Sequence, residues 1–469
     1  MSSEIKMQKL ADFRKKMNET APAKERLASL FDESSFVELD AFATAADGQA
    51  CGVVTGYGYV DGNPVYAFSQ DITAESGAVT AAHAKKIKKI YDLAAKTGSP
   101  VVGIYDSNGA AIDEGLDAMA AYGDMLCWTN NLSGVVPQVS VVLGPCAGCA
   151  AMIAASADFV VISEQAELFL SPGDEACGAK NAALSGVAHL VEKDDAAAVA
   201  AARRLIALLP SNNLSALPLC EFREADGADA ALEAAAKAMD KADMMKIIGS
   251  VADAGSVIEL QKDFTKCGVH VALGTVAGST VGFVAASDSG KVCSNGSSKI
   301  ARFVAICDSF QIPVVTFVNC AGFAAVNGHA FRGGVREVAK LAHVYAEATT
   351  PKIAVICGAA YGSAYVALAG RGANADYAVA WPDAVISALS PATAVAFMEG
   401  DKITKDKTRA QVEAEYAANE AGAVAAAAKG HIDDVVDPAN TRAAVVSAID
   451  MLIGKRVSRL PKKHANIPM

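Results

Sequence analysis

Apolar and polar positions follow two different periods along the chain, and each period predicts its own kind of element. Short apolar runs rich in β-branched residues predict strands at 53–59, 65–68, 101–105, 138–143 and 159–162. Patterns with helical spacing predict helices at 79–97, 117–130, 148–156, 194–209 and 228–243, and 210–221 is predicted to be a linker. Continuous apolar strands that alternate with helices are typical of a parallel sheet covered by helices.

The pattern occurs twice. KKIKKIYDLAAKTGSPVVGIYDSNGA from Lys85 matches SKIARFVAICDSFQIPVVTFVNCAGF from Ser298 at an offset of 213 residues. GPCAGCA from Gly144 matches GAAYGSA from Gly358 at an offset of 214 residues. Both copies keep G-x-x-x-G-x-A, but the second lacks the two cysteines. We therefore interpret the CxxC of the first copy as part of a glycine turn, predict no metal site, and expect two domains, 1–217 and 218–469.

Composition narrows the classes of function. The chain has 469 residues, of which 52% are hydrophobic and 20% are charged, so it has enough apolar material for large cores. The net charge of -11 argues against binding nucleic acid, which needs clustered cations. The N-terminus is charged without an apolar signal core, and no apolar run reaches the ~20 residues of a spanning helix. We expect a cytoplasmic protein that does not insert into a membrane.

Each copy has two glycine-containing loops that follow neighbouring predicted strands, where parallel sheets bind ligands. In the first copy, Gly109 and Ala110 follow one strand, and Gly148 and Cys149 begin the helix after the next. Two backbone N–H groups that converge on one oxygen form an oxyanion hole, which stabilises an enolate or tetrahedral anion. The alternative is that these glycines only allow tight packing of helix on sheet. Recurrence of the loops in both copies favours the oxyanion hole.

Few side chains suit catalysis. The sequence has no nucleophile elbow, HExxH or phosphate-binding loop. Asp106 and Glu114 suit acid–base chemistry, although a turn cap is the simpler role for Asp106. Arg332 and Arg336, at helical spacing, suit an anion or a solvated helix face equally well.

A basic stretch lies on the helix predicted at 79–97. Lys85, Lys86, Lys88 and Lys89 suit the phosphates of a CoA-like cofactor, with a solvated face as the alternative. His83 on the same helix is predicted to lie at the surface rather than to act as a general base.

Several longer stretches together are specific, among them VVTGYGYVDGNPVYAFSQD, GPCAGCAAM, IPVVTFVNCAGF, VYAEATTPKIAVICGAAYGSAY and PKKHANIP. Through them the chain resembles, over nearly its full length, the carboxyltransferase subunit of biotin-dependent acyl-CoA carboxylases and related decarboxylases. The resemblance implies an α/β fold of two tandem crotonase-like β-β-α superhelical domains. The N-terminal half would bind acyl-CoA and the C-terminal half would receive carboxybiotin. Active sites would lie between the N-terminal half of one subunit and the C-terminal half of another, in homodimers or hexamers.

The resemblance also implies residue roles. The residues implied to hold the thioester oxygen as the enolate forms are Gly109, Ala110, Gly148 and Cys149. Those implied to polarise the ureido carbonyl of biotin are Gly322, Phe323, Ser363 and Ala364. Gly362 is a further predicted cofactor-binding position, as are Lys85 and Lys86 of the basic stretch. The carboxyl group would pass between biotin and the acyl α-carbon without a side-chain nucleophile.

The chain lacks a biotinyl-lysine motif and an ATP-binding loop. The resemblance therefore implies a separate biotin carrier protein and separate biotin carboxylase or membrane decarboxylase subunits, with a coenzyme A thioester as substrate. We favour a decarboxylase-type complex, such as one acting on methylmalonyl-CoA. Departures from the usual family motifs, including Asn108-Gly109-Ala110-Ala111 in place of GGAR, support one alternative, a non-catalytic assembly subunit. The other alternative is a stand-alone hydratase or thioesterase that would use Asp113 and Glu114.

Overall fold

The computed structural model describes residues 3–17, 22–44, 51–171, 173–286, 290–324, 333–458 and 460–468. The chain divides into two compact units, Met1–Ala216 and Leu217–Met469. Each unit has its own sheet and its own buried core, so the two are described in turn.

Within its described residues, the first unit has one sheet, whose strands are β1 (Val37–Leu39), β2 (Val53–Val60), β3 (Asn63–Gln70), β4 (Val101–Ser107), β5 (Gln138–Ala147), β6 (Phe159–Ser163), β7 (Glu167–Phe169) and β8 (Leu190–Glu192). The order is β1-β2-β3-β4-β5-β6-β8, with β7 paired to the end of β5. The first three strands are antiparallel and the others are parallel. Every residue of β4 is buried, as expected for a strand covered on both faces.

The helices of the first unit are α1 (Ser3–Met17), α2 (Pro22–Leu30), α3 (Ala81–Thr97), α4 (Leu116–Asn131), α5 (Cys149–Ala155), α6 (Ala179–Ser185) and α7 (Asp195–Leu208). Helix α3 begins where the Thr80 side chain accepts a hydrogen bond from the His83 amide, and it ends at Gly98 in the left-handed region. Its apolar face packs into a core with β3, β4 and α4.

The second unit repeats this plan over its own described residues. Its strands are β9 (Ile258–Leu260), β10 (Val269–Val276), β11 (Ser279–Ala286), β12 (Val314–Cys320), β13 (Lys352–Tyr361), β14 (Tyr377–Ala380), β15 (Val385–Ser387) and β16 (Asp434–Val435). The order is β16-β14-β13-β12-β11-β10-β9, with β15 paired to the end of β13. Strands β12, β13 and β14 are parallel, as their counterparts are in the first unit.

Helices of the second unit are α8 (Ala228–Lys237), α9 (Met244–Val251), α10 (Ser294–Ser309), α11 (Gly334–Glu347), α12 (Ser363–Leu368), α13 (Pro391–Met398), α14 (Arg409–Asn419), α15 (Ala423–Ala428) and α16 (Thr441–Leu452). The single helix predicted at 228–243 is wrong. Helix α8 ends at Lys237, where Ala238 leaves the helical conformation, and Asp243 accepts hydrogen bonds from two backbone amides at the start of α9. No helix in the described segments has the length and apolar character needed to cross a membrane.

Candidate active site

In the first unit, the loop after β4 is bridged to the start of α3. The Val79 amide donates to the Gly109 carbonyl at 2.8 Å, and the Ala111 amide donates to the Val79 carbonyl at 3.0 Å. The Ala110 N–H belongs to the same trans peptide group as the Gly109 carbonyl, so it points away from Val79 and the start of α3. It has no acceptor within the described part of the chain. The Gly109 amide is occupied, because it donates to Ser107 Oγ at 3.1 Å.

The loop after β5 turns sharply into α5. Gly148 has φ +59° and ψ −120°, a conformation that favours glycine. Its amide donates to the Phe169 carbonyl of β7 at 2.8 Å, so Gly148 offers no N–H to a ligand. The next residue, Cys149, begins α5, and among the described residues its amide has no acceptor. Among the described residues, the amide of this loop without an acceptor is therefore that of Cys149 and not that of Gly148.

The second unit has the same bridge after β12. The Val292 amide donates to the Gly322 carbonyl at 3.0 Å, and the Ala324 amide donates to the Val292 carbonyl at 2.8 Å. By the same geometry the Phe323 N–H faces away from α10, and no described residue accepts it.

The loop after β13 matches the one after β5. Gly362 has φ +51° and ψ −120°, and its amide donates to the Ser387 carbonyl of β15 at 2.9 Å. Ser363 begins α12 with an amide that no described residue accepts. Ala364 is the second residue of this helix, so the counterpart of Cys149 is Ser363.

Sheet register places the two amides of each unit at one edge. Ser107 pairs with Cys146 across β4 and β5, and Cys320 pairs with Ala360 across β12 and β13. Each candidate donor lies three residues beyond one of these paired positions, which gives the amide pairs Ala110 with Cys149 and Phe323 with Ser363. Parallel strands end together, so both loops of a pair project from the same end of the sheet.

The first glycine of each G-x-x-x-G-x-A motif makes room for a polar side chain on the neighbouring strand. A β-carbon at Gly144 would overlap the Asp106 carboxylate, and one at Gly358 would overlap the Asn319 amide. Asn319 Oδ1 accepts the Ala359 amide at 3.1 Å, which holds the strand end that leads to the second amide pair. These glycines are thus required by close packing beside the sites.

Asp106 is neither a turn cap nor an exposed acid. It lies in β4, 3% exposed, and Arg26 Nη1 binds its carboxylate at 2.8 Å. Burial raises the pKa of Asp106, and the Arg26 guanidinium opposes that rise. Arg26 also approaches Asp195 at 3.3 Å, and it was missed because it lies 80 positions before Asp106. The structure therefore shows Asp106 in a buried ion pair with Arg26 and does not support the predicted acid–base role.

The predicted basic patch on α3 is wrong for Lys86. The side chain is buried, its ammonium donates to the Val53 carbonyl at 2.8 Å, and burial lowers its pKa. Lys88 and Lys89 lie nearer the surface in ion pairs with carboxylates at 2.8 and 2.6 Å. Lys85 is exposed, so phosphate binding by Lys85 stays a prediction.

His83 is also misplaced by the prediction, because it is 0% exposed rather than at the surface. Burial lowers the pKa of His83 to about 3, and its Nε2 lies 3.3 Å from Gln70 Nε2. A histidine that stays neutral in this way packs the core beside Asp106, whose amide donates to Gln70 Oε1 at 3.2 Å.

The other candidate side chains have local partners. Glu114 accepts the Ala81 amide at 2.6 Å at the start of α3, and Arg336 Nε binds Glu337 at 3.1 Å. Arg332 lies outside the described residues. Cys146 is buried in β5, and burial raises its pKa, which fits the interpretation of the CxxC as part of a turn.

Comparison with known proteins identifies the family. The model of the carboxyl transferase domain matches residues 18–467. The chain belongs to the carboxyl transferase family. The methylmalonyl-CoA decarboxylase subunit alpha of Veillonella parvula is 38% identical over 480 residues, 95% of this chain and 93% of the relative. The propionyl-CoA carboxylase beta chain of Saccharopolyspora erythraea is 37% identical over 496 residues, 95% of this chain and 90% of the relative.

A solved structure agrees with these relatives. Transcarboxylase 12S, a hexamer assembly solved with methylmalonyl-coenzyme A and methylmalonic acid bound, has a TM-score of 0.92 and 33% identity over 100% of both chains. This carboxyl transferase thus has the crotonase-like fold and is an enzyme of the biotin-dependent acyl-CoA carboxylase and decarboxylase type. Neither the non-catalytic assembly subunit nor the stand-alone hydratase or thioesterase is favoured.

Proposed function

We propose that the amides of Ala110 and Cys149 bind the thioester oxygen of an acyl-CoA and that those of Phe323 and Ser363 bind the ureido oxygen of biotin. The observation that carries this proposal is that each unit has the same two amides without an acceptor among the described residues, at the same sheet edge. Carboxyl transfer moves a carboxyl group between two carbonyl compounds, so two anion sites of like geometry suit it.

The chain's own contribution is electrostatic. As the α-carbon of the acyl-CoA loses or gains its carboxyl group, negative charge develops on the thioester oxygen. Two fixed N–H donors, one at the start of α5, stabilise that enolate without reorganising. Biotin on a separate carrier protein supplies the nitrogen that carries the carboxyl group. Phe323 and Ser363 orient its ureido group, and neither step calls for a side-chain nucleophile.

We further propose methylmalonyl-CoA and propionyl-CoA as the substrate pair. The relatives named above act on these thioesters, and the matching transcarboxylase was solved with methylmalonyl-coenzyme A bound. A biotin carrier protein, a biotin carboxylase or membrane decarboxylase subunit, and further copies of this chain complete the proposed assembly.

Carboxyl exchange tests the proposal. Purified protein is mixed with free biotin and with methylmalonyl-CoA that carries a labelled carboxyl group, and the label is followed into carboxybiotin. The reverse step is followed as transfer of the label from carboxybiotin to added propionyl-CoA. We expect transfer in both directions. Malonyl-CoA and acetyl-CoA, the matched pair with a shorter acyl group, serve as the comparison. Absence of transfer with every thioester would contradict the proposal. Transfer with only the shorter pair would contradict the substrate assignment and leave the amide assignment standing.

A further inference from the structure

Two cysteines of the second unit lie in mutual contact beside α10. Thr265 Oγ1 is 2.9 Å from Cys267 Sγ and 3.1 Å from Cys293 Sγ. The Cys293 amide donates to Cys267 Sγ at 3.3 Å. Cys293 therefore has both its backbone nitrogen and its sulfur beside the Cys267 sulfur. We call these two residues the Cys267–Cys293 pair.

Cys293 is also the N-cap of a long helix. Its sulfur accepts the Gly296 amide at 3.3 Å, and α10 runs for 16 residues from Ser294. A β-carbon on Gly296 would lie 2.9 Å from Cys267 Sγ, so the second sulfur sits on the first turn of the same helix. A helix N-terminus stabilises a thiolate, which favours Cys293 as the attacking sulfur.

The first copy has the same arrangement with one sulfur fewer. Cys51 precedes β2 in the sequence Cys-Gly-Val, as Cys267 precedes β10. The N-cap of α3, at the position of Cys293, is Thr80, whose hydroxyl accepts the amide three residues on, as the Cys293 sulfur does. The pair of thiols is thus particular to the second copy.

The pair adjoins the bridge that presents an active-site amide. Val292 directly precedes Cys293, and its amide and carbonyl hold Gly322 and Ala324 on either side of Phe323. The cap of α10 is therefore one peptide unit away from the residue that holds the loop carrying the Phe323 N–H.

The hydrogen bond with Cys293 is the main cause that raises the pKa of Cys267, and burial raises it further. A thiol with a raised pKa forms little thiolate, so Cys267 reacts after its neighbour. This order suits Cys293 as the first nucleophile and Cys267 as the resolving thiol.

We propose that the Cys267–Cys293 pair is a redox-modification site at which a low-molecular-weight disulfide reversibly switches off the biotin-side amide pair. The Cys293 thiolate attacks one sulfur of the oxidant, and a mixed disulfide forms as one thiol leaves. The Cys267 sulfur then displaces the second thiol and forms the Cys267–Cys293 disulfide. Two protein thiols are oxidised, one disulfide is reduced to two thiols, and the protons of the cysteines pass to the leaving groups. The Cys293 sulfur no longer caps α10 in its original geometry.

The test treats the full chain with oxidised glutathione and follows two signals. Peptide mapping by mass spectrometry should find a 267–293 cross-link that lacks two hydrogens and disappears with dithiothreitol. Carboxyl transfer should fall roughly tenfold or more in step with the cross-link and return on reduction, since one displaced oxyanion donor costs this much or more. The effect on transfer rests on the proposed function, whereas the cross-link does not.

Matched variants isolate the pair. Cys293→Thr gives the second copy the residue of the first, so we expect it to retain transfer and to resist the oxidant. Cys51→Ser should stay as sensitive as the wild type. Absence of a 267–293 cross-link in oxidised wild type would overturn the modification site. A complete cross-link with unchanged transfer would overturn the switch, and an inactive reduced wild type would instead overturn the proposed function.

Discussion

The two copies keep the same backbone and surround it with different side chains. In both, hydrogen bonds to a valine turn one amide outward, and a glycine with φ of +59° or +51° precedes the next helix. A buried lysine on α3 or α10 donates to a carbonyl at the start of a strand. In the first copy an ion pair of Arg26 and Asp106 supports the site, whereas the second has the neutral Asn319 there. Since both copies present two amides, the shared geometry lies in the main chain, and the supporting groups need only fill its space and satisfy its polar atoms.

Removing one amide from each copy is the most severe test of whether the main-chain amides of the two copies have equivalent roles. Cys149→Pro and Ser363→Pro delete the N–H at the first position of α5 and α12, where proline fits a helix. Each variant should lower kcat for carboxyl transfer by roughly 10²–10³, the usual cost of one oxyanion donor.

The glycine variants Cys149→Gly and Ser363→Gly keep both amides and serve as controls. They should stay within the same order of magnitude as the wild type, with all four proteins compared by circular dichroism. A proline variant that folds and keeps full activity would show that its amide does not hold an anion.

The ion pair of the first copy provides the next test. Arg26→Met leaves the Asp106 carboxylate buried without its partner and should reduce the free energy of unfolding by about 3 kcal/mol. Without Arg26 the pKa of Asp106 rises further above its ordinary value. Below that pKa the folded variant takes up a proton at Asp106, which removes the buried charge. The loss in the free energy of unfolding is therefore largest above that pKa and shrinks as the pH falls through it.

Adding Asp106→Asn to Arg26→Met gives the first copy the neutral group of the second. This double variant should recover most of the lost stability in urea denaturation at neutral pH. If the single and double variants are equally unstable, the contribution of Arg26 is packing rather than charge.

The pattern of the sequence was enough to predict the two sheets, because β-branched strands and helical spacing recur in both copies. It also located the loops of the candidate site. It did not show which N–H groups are occupied, since the Gly148 amide is taken by Phe169 of β7, a strand of three residues without a recognisable pattern. The Lys86 and His83 predictions failed for a similar reason. A lysine-rich helix looks solvated until the fold brings the Val53 carbonyl beside its inner face.

The buried lysines lead to a pH prediction. Burial lowers the pKa of Lys299 to about 8, and its ammonium donates to the carbonyls of Gln261 and Val269. The unfolded chain keeps this proton to higher pH, so Lys299 makes the folded state more stable as the pH rises above its folded pKa. Lys299→Met should therefore lower the free energy of unfolding by about 2 kcal/mol more at about pH 9.5 than at about pH 7.5. Urea denaturation at both pH values measures this difference, and a pH-independent cost would contradict the lowered pKa.

The smallest expected effect is at the helix caps, where the accepting atom is an oxygen in one copy and a sulfur in the other. Thr80 Oγ1 and Cys293 Sγ accept the amide three residues on, at 3.1 and 3.3 Å. Oxygen is the stronger acceptor, so Thr80→Cys should weaken α3 and Cys293→Thr should strengthen α10, each by about 0.5 kcal/mol, within the range for N-cap changes. Hydrogen exchange at the His83 and Gly296 amides reports each cap separately. Faster exchange at His83 in the first variant and slower exchange at Gly296 in the second would show that oxygen caps better than sulfur in both copies. If exchange at Gly296 instead speeds up, the sulfur of Cys293 contributes to the second copy through its contact with Cys267, which a threonine does not reproduce.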